Sequence, residues 1–248
     1  MYARIFNALN YRMMLNWVPD ELFLKAAFYA RFGRKLNLNN PETFNEKLQW
    51  LKLYNRKPEY TMMVDKYLVR DYVKEKIGEE YLIPLLGVWD NPEKIDFDKL
   101  PMQVVLKCNH NSGLGMCICK DKNSLDINKV KDGLKKGIEQ NYYLTSREWP
   151  YKDVPRRIIA EKYMLDESGY ELKDYKFYCF DGKVKLVMIN TDRMSSEKTK
   201  ANYFDENYQP LNFTWGYENA KILPQKPKKF EEMKRLAEKL SEGIPHVR

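Results

Sequence analysis

The spacing of apolar residues changes character along the chain. Over the first 60 residues it is helical. Ile5, Phe6, Leu9 and Met13 recur at that period, beside Arg4 and Arg12 and ahead of Trp17. Such a stretch suits two destinations, the body of the protein or a membrane surface, and the body is the expected one. Pro19-Asp20 opens a second helix, with Leu22, Ala26 and Tyr29 on one face and Gly33 as its stop. Asn40-Pro41-Glu42 opens a third, with Pro41 in the first turn and Phe44, Leu48 and Leu51 as the apolar stripe. A fourth is expected from Asp65, as N-cap, to Gly78.

Beyond Gly78 the apolar runs shorten to strand length. Leu82 to Trp89 reads as a strand after Pro84. Val104 to Lys120 reads as strand, polar glycine-containing loop, strand, with Lys107 near the end of the first strand. Asp126 caps a helix through Val130, Leu134 and Ile138. Arg157 to Met164 reads as a buried strand with one acid, Glu161. Tyr175 to Phe180 and Lys183 to Ile189 flank Asp181-Gly182, a pair suited to a two-residue hairpin turn. Ala201 to Phe204 reads as a short strand, and a helix from Phe230 through Met233, Ala237 and Leu240 stops at Gly243. Helices first, then strands and helices mixed, predict an α+β body with a helical N-terminal extension.

Composition narrows the setting. The 248 residues suffice for a real core, in one domain or two small ones. No window approaches the ~18 apolar residues of a membrane span. The opening Met1-Tyr2-Ala3-Arg4-Ile5 lacks the apolar core of a secretory leader. A cytoplasmic location is therefore expected, with the inner face of the membrane as its variant and peripheral contact there through the first helix. The net charge of +8 favours anionic partners. Its basic residues are dispersed and no nucleic-acid-binding motif occurs, so no nucleic acid partner is expected. Cys108, Cys117, Cys119 and Cys179 all fall in strand-like segments and read as buried free thiols, because a metal site wants further Cys or His at regular spacing and there are only two histidines.

The chemistry lies in residues that are weak signals singly. Lys66 follows the cap Asp65, where a lysine can meet an anion beside free N–H groups, or simply face solvent. Lys107 ends an apolar strand and needs a negative partner, either a phosphate held by the loop Ser112 to Gly115 or a carboxylate. Ser112, Gly113 and Gly115 let backbone close over such an anion, although the Walker pattern is absent. Glu161 needs a donor, an adenine amino group or a lysine. Asp174 and Lys176 share a strand face, and Arg193 follows the next strand. Lys176 and Arg193 suit the charge that develops in phosphoryl transfer, or ordinary hairpin edge charge. No Ser/His/Asp triad or Gly-x-Ser-x-Gly is readable.

The order of these signals resembles the ATP-grasp superfamily: Asp65-Lys66, Leu82-Ile83-Pro84, Lys107 with its loop, Ala160-Glu161-Lys162, Asp174-Tyr175-Lys176, Asp192-Arg193. Closer still, Asn40 to Lys47, Leu106-Lys107-Cys108-Asn109-His110, Arg147-Glu148-Trp149-Pro150-Tyr151 and Lys173-Asp174-Tyr175-Lys176-Phe177 resemble the TupA-like ATP-grasp proteins of bacterial surface-polysaccharide loci, over about 40–248. The resemblance implies two α+β subdomains with ATP between them, at 61–122 and 123–248, after a helical region at 1–60. It implies an acid activated as acyl phosphate and attacked by an amine. Lys66 and Lys107 would hold phosphates under the Ser112 to Gly115 loop. Glu161 would meet the adenine amino group, with backbone of Lys162 and Met164 at the ring edge and Asp174 near the ribose or phosphates. Lys176 and Arg193 would stabilise the transferring phosphoryl group. ATP and Mg2+ are the implied cofactors, and the family's acidic magnesium ligands are expected past Val247-Arg248. The implied partners are ATP and an acidic sugar or polysaccharide intermediate. A sugar kinase, a glycosyltransferase (a label that members often carry) and a non-catalytic nucleotide binder are the other readings.

Overall fold

Capping chemistry sets the first helices. The computed structural model describes residues 2–167, 169, 172–192 and 198–248, and begins with α1 (Tyr2–Tyr11), α2 (Asp20–Phe32) and α3 (Phe44–Tyr54). Gly33 ends α2 at φ 69°, its N–H returned to the Tyr29 carbonyl. The buried face of α2 is Phe23, Leu24 and Phe28, whereas Leu22 and Tyr29 face outward. The packing partners decide this: Phe6 of α1 meets Phe23, and Leu36 and Leu38 close the same small core. The N-cap of α3 is Thr43, in a reciprocal capping box with Glu46, so Pro41 lies ahead of the first turn. Next come α4 (Pro58–Val64) and α5 (Val69–Ile77). Asp65 caps the turn between them by accepting from the Tyr67 and Leu68 N–H groups, and regular α-helix starts only at Val69.

The strands follow: β1 (Leu85–Trp89), β2 (Val104–Cys108), β3 (Met116–Cys119), then α6 (Ile127–Glu139), α7 (Tyr143–Ser146) and β4 (Ile158–Lys162). They form an antiparallel sheet in the order β1-β4-β2-β3. Val105 stands opposite Glu161, and Lys107 opposite Ile159. Alternation along the strands therefore sorts the side chains. Val104, Leu106, Cys108, Ile158 and Ala160 form the core with Leu134 of α6, and Lys107 and Glu161 share the other face.

The remaining elements are β5 (Asp174–Phe180), β6 (Lys183–Thr191), β7 (Lys200–Phe204), α8 (Phe230–Leu240) and β8 (His246–Val247), with sheet order β7-β6-β5-β8. Asp181 (φ 48°) and Gly182 (φ 72°) both take the positive φ that the β5–β6 hairpin turn requires. One sheet face packs Cys179, Val187, Ile189 and Phe204 against Phe230 of α8. The other carries Tyr178, Met188, Ala201 and Tyr203. Strand β8, two residues long, is too short to read from periodicity.

The chain divides into two compact units, Met1–Tyr72 with Ile83–Lys162, and Val73–Leu82 with Tyr163–Arg248. A boundary after 122 would cut the first sheet, because β4 pairs with both β1 and β2. The helical region at 1–60 shares the first unit with that sheet.

A glycine pair locks α6 to the loop after β2. A Cβ at Gly115 would lie 2.8 Å from the Gly137 Cα and 2.6 Å from the Cys108 sulfur, and one at Gly137 would lie 3.0 Å from the Gly115 nitrogen. Gly133, one turn earlier on α6, meets nothing within 4 Å. Gly137→Ala is thus expected to lower stability by about 2 kcal/mol in urea unfolding, overpacking outweighing the helix-propensity gain. Gly133→Ala is expected to raise it by about 1 kcal/mol.

Candidate functional site

The first unit brings Lys66, Lys107 and Glu161 to one region around the glycine loop. Lys107 and Glu161 are diagonal neighbours on β2 and β4, and their charged ends meet at 2.5 Å. Arg70 adds a second cation, 3.6 Å from the other Glu161 oxygen, while it donates to the Ile83 carbonyl. Glu161 is buried and Lys107 is one-quarter exposed, so the pair sits at the rim of the interior. The two groups expected to contact a nucleotide therefore contact each other here.

Lys66 reaches the stem of the loop, donating to the carbonyls of Asn109 at 3.1 Å and Asn111 at 2.6 Å. Burial, aided by the neighbouring Lys107 charge, pushes its pKa down to about 8. Its position is fixed by Asp65, which is fully buried and accepts from the Asn109 side chain at 2.8 Å. The Cys108 N–H closes the loop on the Gly115 carbonyl. Asn111 donates to the Gly137 carbonyl at 2.6 Å, and its buried side-chain oxygen has no partner. Ser112, Gly113 and Leu114 form the exposed tip, with Gly113 at φ 92°. Gly115, by contrast, is buried against Gly137, so its lack of a side chain serves packing. The Lys162 N–H donates to the Pro84 carbonyl at 3.0 Å and is committed to the sheet rather than to an outside acceptor.

Met164, Asp174 and Lys176 belong to the second unit. Met164 is exposed. Lys176 donates to the Asp174 carboxylate, which also accepts from Asn190 at 3.3 Å. The buried Asn190 oxygen on this face has no partner. Arg193 lies outside the described residues.

Arg70, Asn109, Asn111 and Asn190 were not singled out from sequence. A signal existed for two of them: Asn109-His110-Asn111 is a polar run between a buried strand and a glycine loop, and such groups need partners. His110 is buried, which pushes its pKa down, and its ring faces the Gln140 carbonyl. The cysteines are free thiols, three buried and Cys117 half-buried, and burial pushes Cys108 up to about 11. Among the described residues no group of three or more His, Cys, Asp or Glu is placed to hold a metal ion. No helix among them is long and apolar enough to cross a membrane.

Two antiparallel sheets backed by helices, with Lys107, Glu161 and Arg70 paired on one sheet face beside a glycine loop clamped at its stem, define an α+β protein. The family model described as TupA-like ATPgrasp matches residues 46–248. The chain belongs to this ATP-grasp family, whose fold is that of ATP-dependent ligases and whose members typically bind ATP and Mg2+. No curated protein and no solved structure matches it.

The Lys107–Glu161 pair can be tested without ligand. Glu161→Leu alone leaves the Lys107 ammonium without its carboxylate and beside the Lys66 charge, and is expected to cost about 2–3 kcal/mol, less than a fully buried pair would because Lys107 is partly exposed. Adding Lys107→Met is expected to recover most of that loss in urea titrations.

Proposed function

We propose that the chain is an ATP-dependent enzyme of the ligase type that activates the carboxylate of an acidic sugar or polysaccharide intermediate, as acyl phosphate, for attack by an amine in bacterial surface-polysaccharide biosynthesis. The observation that carries this reading is the Lys107–Glu161 pair beside the Lys66-held loop, in a chain of the ATP-grasp family. The pair offers a cation for phosphate oxygens and, once parted, a carboxylate for an exocyclic amino group. Lys66 and the Ser112–Gly113 tip add a second cation and exposed backbone. The excess of basic residues suits an acidic substrate.

In this reading Lys107 exchanges Glu161 for a phosphate oxygen and Glu161 accepts from adenine. Lys66 turns from the loop carbonyls towards phosphate. Lys176 and Arg193 are assigned to the transferring phosphoryl group, with Asp174 orienting Lys176. A substrate carboxylate oxygen attacks the γ-phosphorus and ADP leaves with the bridging oxygen. The amine then attacks the acyl carbon, inorganic phosphate departs, and the amine proton passes to solvent. Cations aimed at the developing negative charge are what this chemistry asks of a protein. The described acids do not fit a resident magnesium ion, because Glu161 is bound to Lys107 and Arg70, and Asp174 to Lys176 and Asn190.

Titration calorimetry with a non-hydrolysable ATP analogue tests the site. Lys107→Met is expected to weaken binding at least about tenfold, the loss of one charge-assisted phosphate contact. Equal affinity in this variant and the parent would remove the reading. ADP release only with acid and amine together marks a ligase, whereas release with a sugar alone marks a kinase.

The lowered pKa of Lys66 predicts a pH profile. Phosphate beside it raises its pKa in the complex above the free value of about 8. Affinity is then greatest below pH 8, where Lys66 is charged in both states, and falls as pH rises from 8 towards the bound pKa. Calorimetry in two buffers of different ionisation enthalpy is expected to show proton uptake in that window, lost in Lys66→Arg. A flat profile would detach Lys66 from the phosphates.

A further inference from the structure

From Tyr2 to Pro19 the chain contains two arginines and no acid. Part of this segment packs inward: Phe6, Leu15 and Val18 join the core around Phe23, Leu24 and Phe28. The rest does not. Tyr11 is 90% exposed, Trp17 82%, Met13 64% and Met14 55%, within seven consecutive positions. Tyr2 and Ile5 on α1 are also exposed. A solvated surface tolerates scattered apolar side chains but rarely a contiguous group of large ones.

The backbone that displays them is held firmly. Arg147, 1% exposed, donates through Nη2 to the carbonyls of Leu15 at 2.8 Å, Val18 at 3.3 Å and Asn16 at 3.4 Å. Its guanidinium lies 4.5 Å from the Phe23 ring centroid and 3.6 Å from the Asp20 carboxylate. Asn10 donates to the Thr145 carbonyl, tying the other end of the connector. Met13 takes φ 58°, a conformation that costs a non-glycine residue energy, and points its side chain to solvent. A pinned connector with outward Trp, Tyr and Met is pre-organised for contact with something apolar.

The residues name the occupant. Tyr and Trp suit a membrane–water interface, where one end of the ring is dry and the other wet. Exposed Arg4 and Arg12 flank them, and over 1–35 there are six basic residues against two acids, Asp20 and Glu21. Asp20 is held by Arg56, and Glu21 by Lys25, so neither acid faces the lipid uncompensated. We propose that the connector from Tyr11 to Trp17, with the outer face of α1, docks on an anionic lipid bilayer: the apolar side chains enter the headgroup boundary and the arginines meet lipid phosphates. The inference is independent of the proposed reaction, and uses residues ahead of the 46–248 family match.

Co-sedimentation of the full chain with vesicles tests it. The chain is expected to pellet with equimolar phosphatidylglycerol and phosphatidylcholine, far less with phosphatidylcholine alone, and less again as salt rises. Met13→Ser with Trp17→Ser is expected to weaken partitioning about tenfold, since exposed residues leave the fold intact while apolar insertion is lost. Arg12→Glu is expected to weaken it only on the anionic vesicles. Trp17→Phe is expected to bind yet lose its share of fluorescence quenching by brominated lipid. ATP-analogue affinity is expected to be unchanged in all of these variants, which separates this surface from the nucleotide site. Failure to pellet with either vesicle, or pelleting undiminished in the double variant, would overturn the proposal. So would a dimer in light scattering that the double variant splits, because the face would then belong to a second copy.

Discussion

The cation site of the first unit depends on one buried carboxylate. Asp65 has no exposed surface, and an isolated charge in that position would be prohibitively expensive. It is retained because its partners come from three separate segments. The Tyr67 and Leu68 N–H groups belong to its own turn, the Asn109 side chain to the end of β2, and Arg157 to the approach to β4, 3.5 Å away. Satisfying Asp65 therefore fixes where the turn before α5 meets the sheet. Lys66, the next residue, is carried with it to the loop stem.

Asn109 makes this junction work, and an amide is required there. Its nitrogen donates to Asp65 and to the Pro155 carbonyl, both at 2.8 Å, while its oxygen accepts from the Arg157 N–H at 2.7 Å. Aspartate would lose the donors and set a second charge against Asp65, and leucine would leave all three partners unpaired. The next residues extend the lock. His110 reaches the Gln140 carbonyl and Asn111 the Gly137 carbonyl, so the β2 end of the glycine loop is tied to α6 and its C-terminal neighbour. Of the loop, only Ser112 to Leu114 remain exposed.

Much of this was legible where a local rule decides. Asp126 caps α6, Gly33 stops α2, and Asp181-Gly182 turns the β5–β6 hairpin, each from short-range chemistry. The strand bearing Lys107 and the strand bearing Glu161 were both visible as apolar runs with one charge. What sequence leaves open is which charge meets which, since that depends on β2 and β4 being neighbours although about 50 residues separate them. The buried face of α2 is left open for the same reason: apolar residues surround that helix, and α1 with Leu36 and Leu38 selects Phe23, Leu24 and Phe28 over Leu22 and Tyr29. The role of Gly115 was hidden because its reason, Gly137, lies on another element. Arg147 gave no hint of burial, for an arginine reads as surface until three backbone carbonyls and an aromatic ring are brought around it.

The pairing of Lys107 with Glu161 also bears on selectivity. A bare cation would attract any phosphate, but this one already has a partner at 2.5 Å, and Lys66 already has two carbonyls. A ligand that offers negative charge alone takes Lys107 from Glu161 and leaves the carboxylate with Arg70 only, at 3.6 Å. That penalty offsets much of the gain, because truncating one side of a largely buried pair leaves the other side poorly compensated. A ligand that brings phosphate oxygens and an amino donor together satisfies both halves at once. On the proposed reading, then, the ion pair of the free protein works as a filter: it suppresses binding of simple anions and rewards a molecule carrying a base and a phosphate chain at the right separation. The same two side chains supply the affinity and the discrimination, which is why neither can be judged by its charge alone.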